Sequence, residues 1–251
     1  MHNIQVPAGA VRVWRGYKRK EVELREFFQK SGSVFVPAAV EMERQLGMHV
    51  YVPAFPAGIE KPGTVPDETA ILFWESQKTY HDAFKTLAER IYVLTHGPLF
   101  GPPSTADFPE YLGKTFEAEK PYYLYDTPAD WMHGVVTHLV GGRPEDQTPK
   151  EFLSHIEAWA HHQQNRKPEG LDGAIICAGT DYVVYWEHWV ALEGRNSSIR
   201  DLAELAVLIL LKDATPVSLP AGLWDDWEGL TITSGDCLNL QFKRRSPFHG
   251  G

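Results

Sequence analysis

Unbroken apolar runs, rather than alternation, mark the strands of this chain. Ile71, Leu72, Phe73 and Trp74 follow one another with no polar residue between them, as do Val183 to Trp186 and Ala174 to Ala178. A strand with one wet face alternates, whereas a strand covered on both faces does not. Around these runs the pattern predicts the order β-α-β-β-α. Val11 to Tyr17 is β-branched and aromatic and predicts a first strand. Glu21 to Lys30 places Val22, Leu24, Phe27 and Phe28 near helical spacing. Gly32 is expected to interrupt, and Pro37, suited to a first helical position, to restart a helix that stops at Gly47. Met48 to Phe55 is the second strand, Pro56 to Pro66 a Pro/Gly loop, and Thr69 to Trp74 the third strand. Ser76 caps a helix carrying Tyr80, Ala83, Phe84, Leu87 and Ile91 to about residues 90–93.

The same order returns after a stretch rich in Pro and Gly. Gly134 to Gly141 predicts a strand, Thr148-Pro149 with Glu151 a capping box and a helix to about Asn165. Ala174 to Ala178 and Tyr182 to Trp189 predict two further strands, and Ser198 caps an apolar helix through about Lys212. The two third strands end alike, Phe73-Trp74-Glu75-Ser76 and Tyr185-Trp186-Glu187-His188. Leu230 to Thr233 and Cys237 to Phe242, around Ser234-Gly235-Asp236, predict a β-hairpin, with a loose tail from Arg244. The division expected is a first half over 1–100, a linker over 101–132 and a second half with the hairpin over 133–251.

A β-α-β-β-α unit puts its helices on one face of its sheet only, so the doubly covered strands need a partner layer. The expected fold is therefore α+β: two tandem ferredoxin-like halves closing on each other, or on a second chain, as a barrel-like sheet sandwich. The element order, with Phe73-Trp74-Glu75-Ser76 followed by Tyr80-His81, resembles the dimeric α/β-barrel superfamily of ferredoxin-like domains. The resemblance covers most of residues 11–100 and is weaker over 134–213, where His188 replaces the serine. It implies a pocket between the sheet and the helices of one half. It also implies a choice among cofactor-free monooxygenases, small isomerases, decyclising enzymes and tandem haem enzymes such as chlorite dismutases and aldoxime dehydratases. No catalytic signature of these groups maps onto the chain, so fold and pocket location carry over and no catalytic residue does.

Composition narrows the partners. Net charge is −9, and the basic clusters Arg15 to Lys20 and Lys243 to Arg245 are short and read as solvated charge, so no nucleic-acid partner is expected. The longest apolar stretch, Leu202 to Leu211, carries Glu204 and falls short of the roughly 20 residues of a membrane span. Met1 to Ala10 lacks the features of a signal peptide, and Cys177 and Cys237 form no CxxC pair, so a cytoplasmic protein with free thiols is expected. Edge strands leave a homodimer open.

Chemistry is sought among polar groups placed in apolar strands. His49 and His138 are the first candidates, because burial lowers an imidazole toward a useful base; in the plainer reading each is a hydrogen-bonded core residue. Tyr51 shares the phase of His49 and adds a phenol. His96, at a loop start, and Glu75, between a strand end and a helix start, complete the candidate set, although the helix dipole alone accounts for a carboxylate at Glu75. No HExxH, GxSxG or phosphate-loop motif is present. A haem would need one axial histidine, for which His49, His133, His138, His155 or His162 would serve under the resemblance. Asp225-Asp226 with Trp224, Trp227 and Glu228 is an acidic aromatic loop that reads as packing, with the cover of a pocket or a partner as the alternative. The function expected is a small-molecule enzyme, monooxygenase- or isomerase-like, acting on an apolar or aromatic substrate by acid–base chemistry. A haem-dependent oxidoreductase or dehydratase, and a non-catalytic ligand-binding or assembly protein, are the alternatives.

Overall fold

The computed structural model describes residues 10–62, 64–125, 131–192, 195–217 and 229–242. The acidic aromatic loop at 224–228 and the basic cluster at 243–245 lie outside them. Strand β1 (Val11–Lys18) leads into a helical run, α1, from Leu24 to Leu46. The run is α-helical over Leu24–Lys30, Val36–Ala38 and Arg44–Leu46, and π-helical over Ser31–Phe35 and Ala39–Glu43. The interruption expected at Gly32 does not occur. A Cβ at Gly32 would lie 1.9 Å from the Leu230 carbonyl oxygen, so the glycine serves a long-range contact. Pro37 sits within the run rather than at its start, and the widened turns on either side accommodate a residue with no N–H to donate. Gly47 ends α1 with φ at 110°.

β2 (Met48–Ala54) and β3 (Glu68–Trp74) follow, then α2 (Gln77–Ala83), whose Ser76 cap accepts the Thr79 N–H. The helix then breaks and restarts as α3 (Leu87–Leu94), capped by Thr86. The expected linker contains strands β4 (Phe100–Asp107), β5 (Glu110–Tyr111) and β6 (Pro121–Tyr123). The second half runs β7 (Val135–Gly142), α4 (Pro149–Gln164, with the capping box formed), β8 (Leu171–Ala178) and β9 (Tyr182–Trp189). The apolar helix expected through Lys212 is instead a short helix, α5 (Asn196–Ala203), and a strand, β10 (Val207–Asp213). The expected tail hairpin does not form: Leu230 to Thr233 is no strand. β11 (Thr215–Pro216) and β12 (Leu238–Gln241) join the first sheet instead.

Two six-stranded sheets result, ordered β11-β12-β2-β3-β1-β4 and β10-β7-β9-β8-β6-β5. Four adjacent strands of each share one order, β2-β3-β1-β4 against β8-β9-β7-β10, the ferredoxin-like arrangement in both halves, with β4 and β10 as edges. The segments that trail each half cross over: β6 adds antiparallel to β8, and β12 adds antiparallel to β2. The sheets face each other without closing into a barrel. Val11, Val13, Val50, Val52, Ile71 and Phe73 of the first meet Val136, Val140, Ile175, Cys177, Val184 and Trp186 of the second. Helices cover the outer face of each sheet, which explains why β3 and β9 are buried along their whole length.

Arg15 departs from the solvated reading of its cluster. It is 1% exposed between the layers, where it pairs with Asp107 at 2.5 Å and donates to the Glu119 carbonyl at 3.0 Å. A buried guanidinium requires such partners. Here they fasten the crossover segment to β1.

Candidate functional site

Alternation along β1, β2 and β3 sends Arg12, Trp14, Tyr51 and Leu72 toward the helices. There they meet Phe35 and Glu43 of α1, Glu89 and Tyr92 of α3, and His96 and Phe100 beyond it. These residues line a cavity of about 550 Å³. Its size and mixture of aromatic walls with a few convergent polar groups are those of a small-molecule site. Phe35 and Glu43 each close a π-helical turn of α1, a local geometry that recurs at functional sites.

One polar group is a phenol–carboxyl pair. The Tyr51 hydroxyl donates to Glu68 Oε1 at 2.6 Å, and the Trp14 indole N–H donates to Glu68 Oε2 at 3.0 Å. Burial pushes the Glu68 carboxyl up to about 7, against the lowering effect of those two bonds. Burial, with the neighbouring Glu68 charge, also holds the Tyr51 phenol well above its ordinary range. Glu68 therefore exchanges its proton near neutrality, while Tyr51 lines the cavity.

A second group is acidic. Glu43 and Glu89 are each 1% exposed, both line the cavity, and the Oε2 atom of each has no hydrogen-bond partner among the described residues. Burial raises both carboxyls; the Glu89 charge raises Glu43 further, and Arg12 opposes the shift in both. Arg12 itself stacks over Tyr80, 4.2 Å from the ring centroid. The third group is His96, held down to about 4 by burial and therefore neutral at pH 7. Its ring lies 5.4 Å from Trp14, 4.9 Å from Phe35 and 4.8 Å from Tyr92, and its Nδ1 is unpartnered.

Of the residues singled out from the sequence, Tyr51 and His96 line this cavity and His49, Glu75 and His138 do not. His49 is buried on β2, and its carbonyl accepts the Phe242 N–H at 2.9 Å. Glu75 follows β3, where its N–H donates to the Gly47 carbonyl at 2.9 Å. His138 is sealed between the sheets, bonded to Thr69 Oγ1 at 3.0 Å and stacked on Trp186 at 5.2 Å, with burial lowering it to about 3. Arg12, Glu43, Glu68 and Glu89 were missed. Arg12 between Val11 and Val13 carried a signal, since it breaks an otherwise apolar strand start.

None of the five histidines that the resemblance offers for haem lines the cavity. Among the described residues no cluster of His, Cys, Asp and Glu is arranged to hold a metal, and no helix is long and apolar enough to cross a membrane. Cys177 and Cys237 are free and buried, their thiols pushed up to about 12 chiefly by burial.

Comparison of the sequence with protein-family models and with curated proteins finds no match. Solved structures offer distant likenesses. A candidate monooxygenase from Lactobacillus acidophilus NCFM overlays with a TM-score of 0.33 at 8% identity, over 81% of this chain and 90% of its own. Another, from Fusobacterium nucleatum subsp. nucleatum ATCC 25586, gives 0.34 at 11% identity, over 81% and 93%. An anthrone oxidase-like protein gives 0.32 at 8% identity, over 81% and 92%. The assignment of the fold stands on the strand order.

Proposed function

We propose that this chain is a small-molecule enzyme that acts on an apolar or aromatic substrate by acid–base chemistry in the cavity over the first sheet. The observation that carries this reading is the Tyr51–Glu68 pair, a phenol at the cavity wall backed by a carboxyl that titrates near pH 7. With Glu68 ionised, a substrate proton passes to the Tyr51 oxygen while the Tyr51 proton passes to Glu68. With Glu68 protonated, the same relay runs in reverse and delivers a proton to the substrate. The aromatic walls orient a flat ring system, and neutral His96 is placed to accept a hydrogen bond. Proton removal from an activated carbon is the step that isomerase-like and cofactor-free monooxygenase-like chemistry share.

The test is exchange of the methylene protons of anthrone into deuterated buffer, followed by NMR; anthrone is chosen as a flat aromatic ketone with an acidic C–H. The chain accelerates exchange over buffer, and Tyr51→Phe removes about 10²- to 10⁴-fold of that acceleration. Glu68→Gln acts in the same direction, because the amide cannot receive the relayed proton. Binding without exchange identifies a ligand-binding protein, and neither binding nor exchange removes the reading.

A further inference from the structure

The relay leaves the acidic end of the cavity unexplained. Two carboxyl groups, Glu43 and Glu89, are buried there with an oxygen each unpartnered. Nothing in packing favours this arrangement, since a buried acceptor without a donor is destabilising. One guanidinium, Arg12, acts on both acids and burial holds their protons, so the pair ionises fully only beside a second cation. Trp14, Phe35, Tyr92 and Phe100 line the same cavity. Unpartnered carboxyl oxygens, two acids against one guanidinium, and aromatic walls together describe a receptor for an organic cation.

We propose that the cavity takes an aromatic amine bound as a cation, its ammonium held between Glu43 and Glu89 and its ring among Trp14, Phe35 and Phe100. This inference rests on the reading of the cavity as the working site and names the class of molecule it admits. A neutral alcohol of the same shape fills an acceptor but brings no charge with which an ionised carboxyl could pair. A carboxylate gains Arg12, whose guanidinium already stacks on Tyr80, but brings a third acid beside Glu43 and Glu89.

Calorimetric titration of the full chain with tryptamine, tryptophol and indole-3-propionate separates these cases. Tryptamine binds about tenfold tighter than tryptophol or better, and indole-3-propionate binds weakest. Glu43→Gln and Glu89→Gln, made separately, each weaken tryptamine about tenfold and leave tryptophol within about twofold. The ligand series on the unaltered chain needs no variant to fold. Equal binding of tryptamine and tryptophol overturns the inference while leaving an aromatic site in place. Tighter binding of indole-3-propionate also overturns it, making Arg12 the recognising group. A preference for tryptamine untouched by both variants overturns the placement. No binding by any of the three removes the working-site reading along with the inference.

Discussion

The two halves share one strand order and treat the space under their helices in opposite ways. In the second half, α4 lays Phe152, Ile156, Trp159 and Ala160 onto Leu139, Ala174, Ile176 and Tyr185, and that layer is filled with apolar side chains. In the first half, the corresponding layer opens into a cavity lined by Arg12, Glu43, Glu89 and His96. The difference begins on the first strand of each half. β1 turns Arg12 and Trp14 toward its helices, whereas β7 turns Thr137, Leu139 and Gly141. Charged and bulky polar groups on a helix-facing row keep a layer from collapsing, and small or apolar ones let it close. One scaffold thus carries a half packed between its main helix and the middle of its sheet, with a groove at the β5–β6 edge by the end of α4, and a half whose helix layer opens over Arg12 and Trp14.

The comparison breaks most readily at Phe152, which is fully buried. Phe152→Ala leaves a hole in a filled layer and should cost about 3–5 kcal/mol. Phe84, on the cavity rim and 43% exposed, already borders open space; Phe84→Ala should cost about 1 kcal/mol or less. Urea midpoints at unchanged slope measure both. Equal costs would mean that the second half is no better packed than the first.

The buried ionisable groups of the two halves should also pull stability in opposite directions with pH. His138, on β7, falls from 6.5 to about 3 on burial. The unfolded chain takes up its proton first, so stability is lost as pH falls below about 6.5, by about 5 kcal/mol at the limit. Glu68, on β3, rises from 4.5 to about 7. Its contribution is complete below about 4.5 and is lost as pH rises through about 7, by about 3 kcal/mol. Relative to the unaltered chain, His138→Gln should therefore gain ground as pH falls, and Glu68→Gln as pH rises. Denaturant titrations at pH 5, 6, 7 and 8 check the two trends, and parallel curves for either variant would count against its buried group.

How much of this could be read from the chain depends on the range of the forces involved. Tyr182 to Trp189 was legible as a doubly covered strand because its β-branched and aromatic residues run without alternation. Val207 to Leu211 was not legible: an apolar run preceded by a capping serine reads equally as buried helix or buried strand, and pairing with β7 decides it. Gly32 looked like a helix breaker because its reason, the Leu230 carbonyl, lies about two hundred residues away in sequence. The site followed the same rule. Tyr51 stood out as a polar group in an apolar strand, but Glu43 and Glu89 sit on helices, where acids ordinarily face water. Only the packing of α1 with its two π turns against α3 turns them inward. His138 drew notice for the same reason as Tyr51, and the facing sheet supplied it with Thr69 instead of a cavity.

The smallest effect sharpens the comparison furthest. If the open half holds its acids for a ligand, it does so against stability, and removing one should strengthen the fold. Glu43→Gln keeps the shape and cannot ionise, so the unfolded chain no longer gains from a free carboxylate. The variant should be about 1 kcal/mol more stable at pH 7. That gain should shrink toward pH 4, where the carboxyl is protonated in both states. The matching change in the packed half has the other sign. Thr137, 1% exposed, donates to Asp213 Oδ1 at 2.9 Å. Thr137→Val abandons that bond and should cost about 1 kcal/mol. Opposite signs at the two positions mark a half kept open at the expense of stability beside a half already packed for it. A Glu43→Gln variant that loses stability would show instead that the carboxyl is a structural part of the first layer, and the distinction between the halves would reduce to one of packing density.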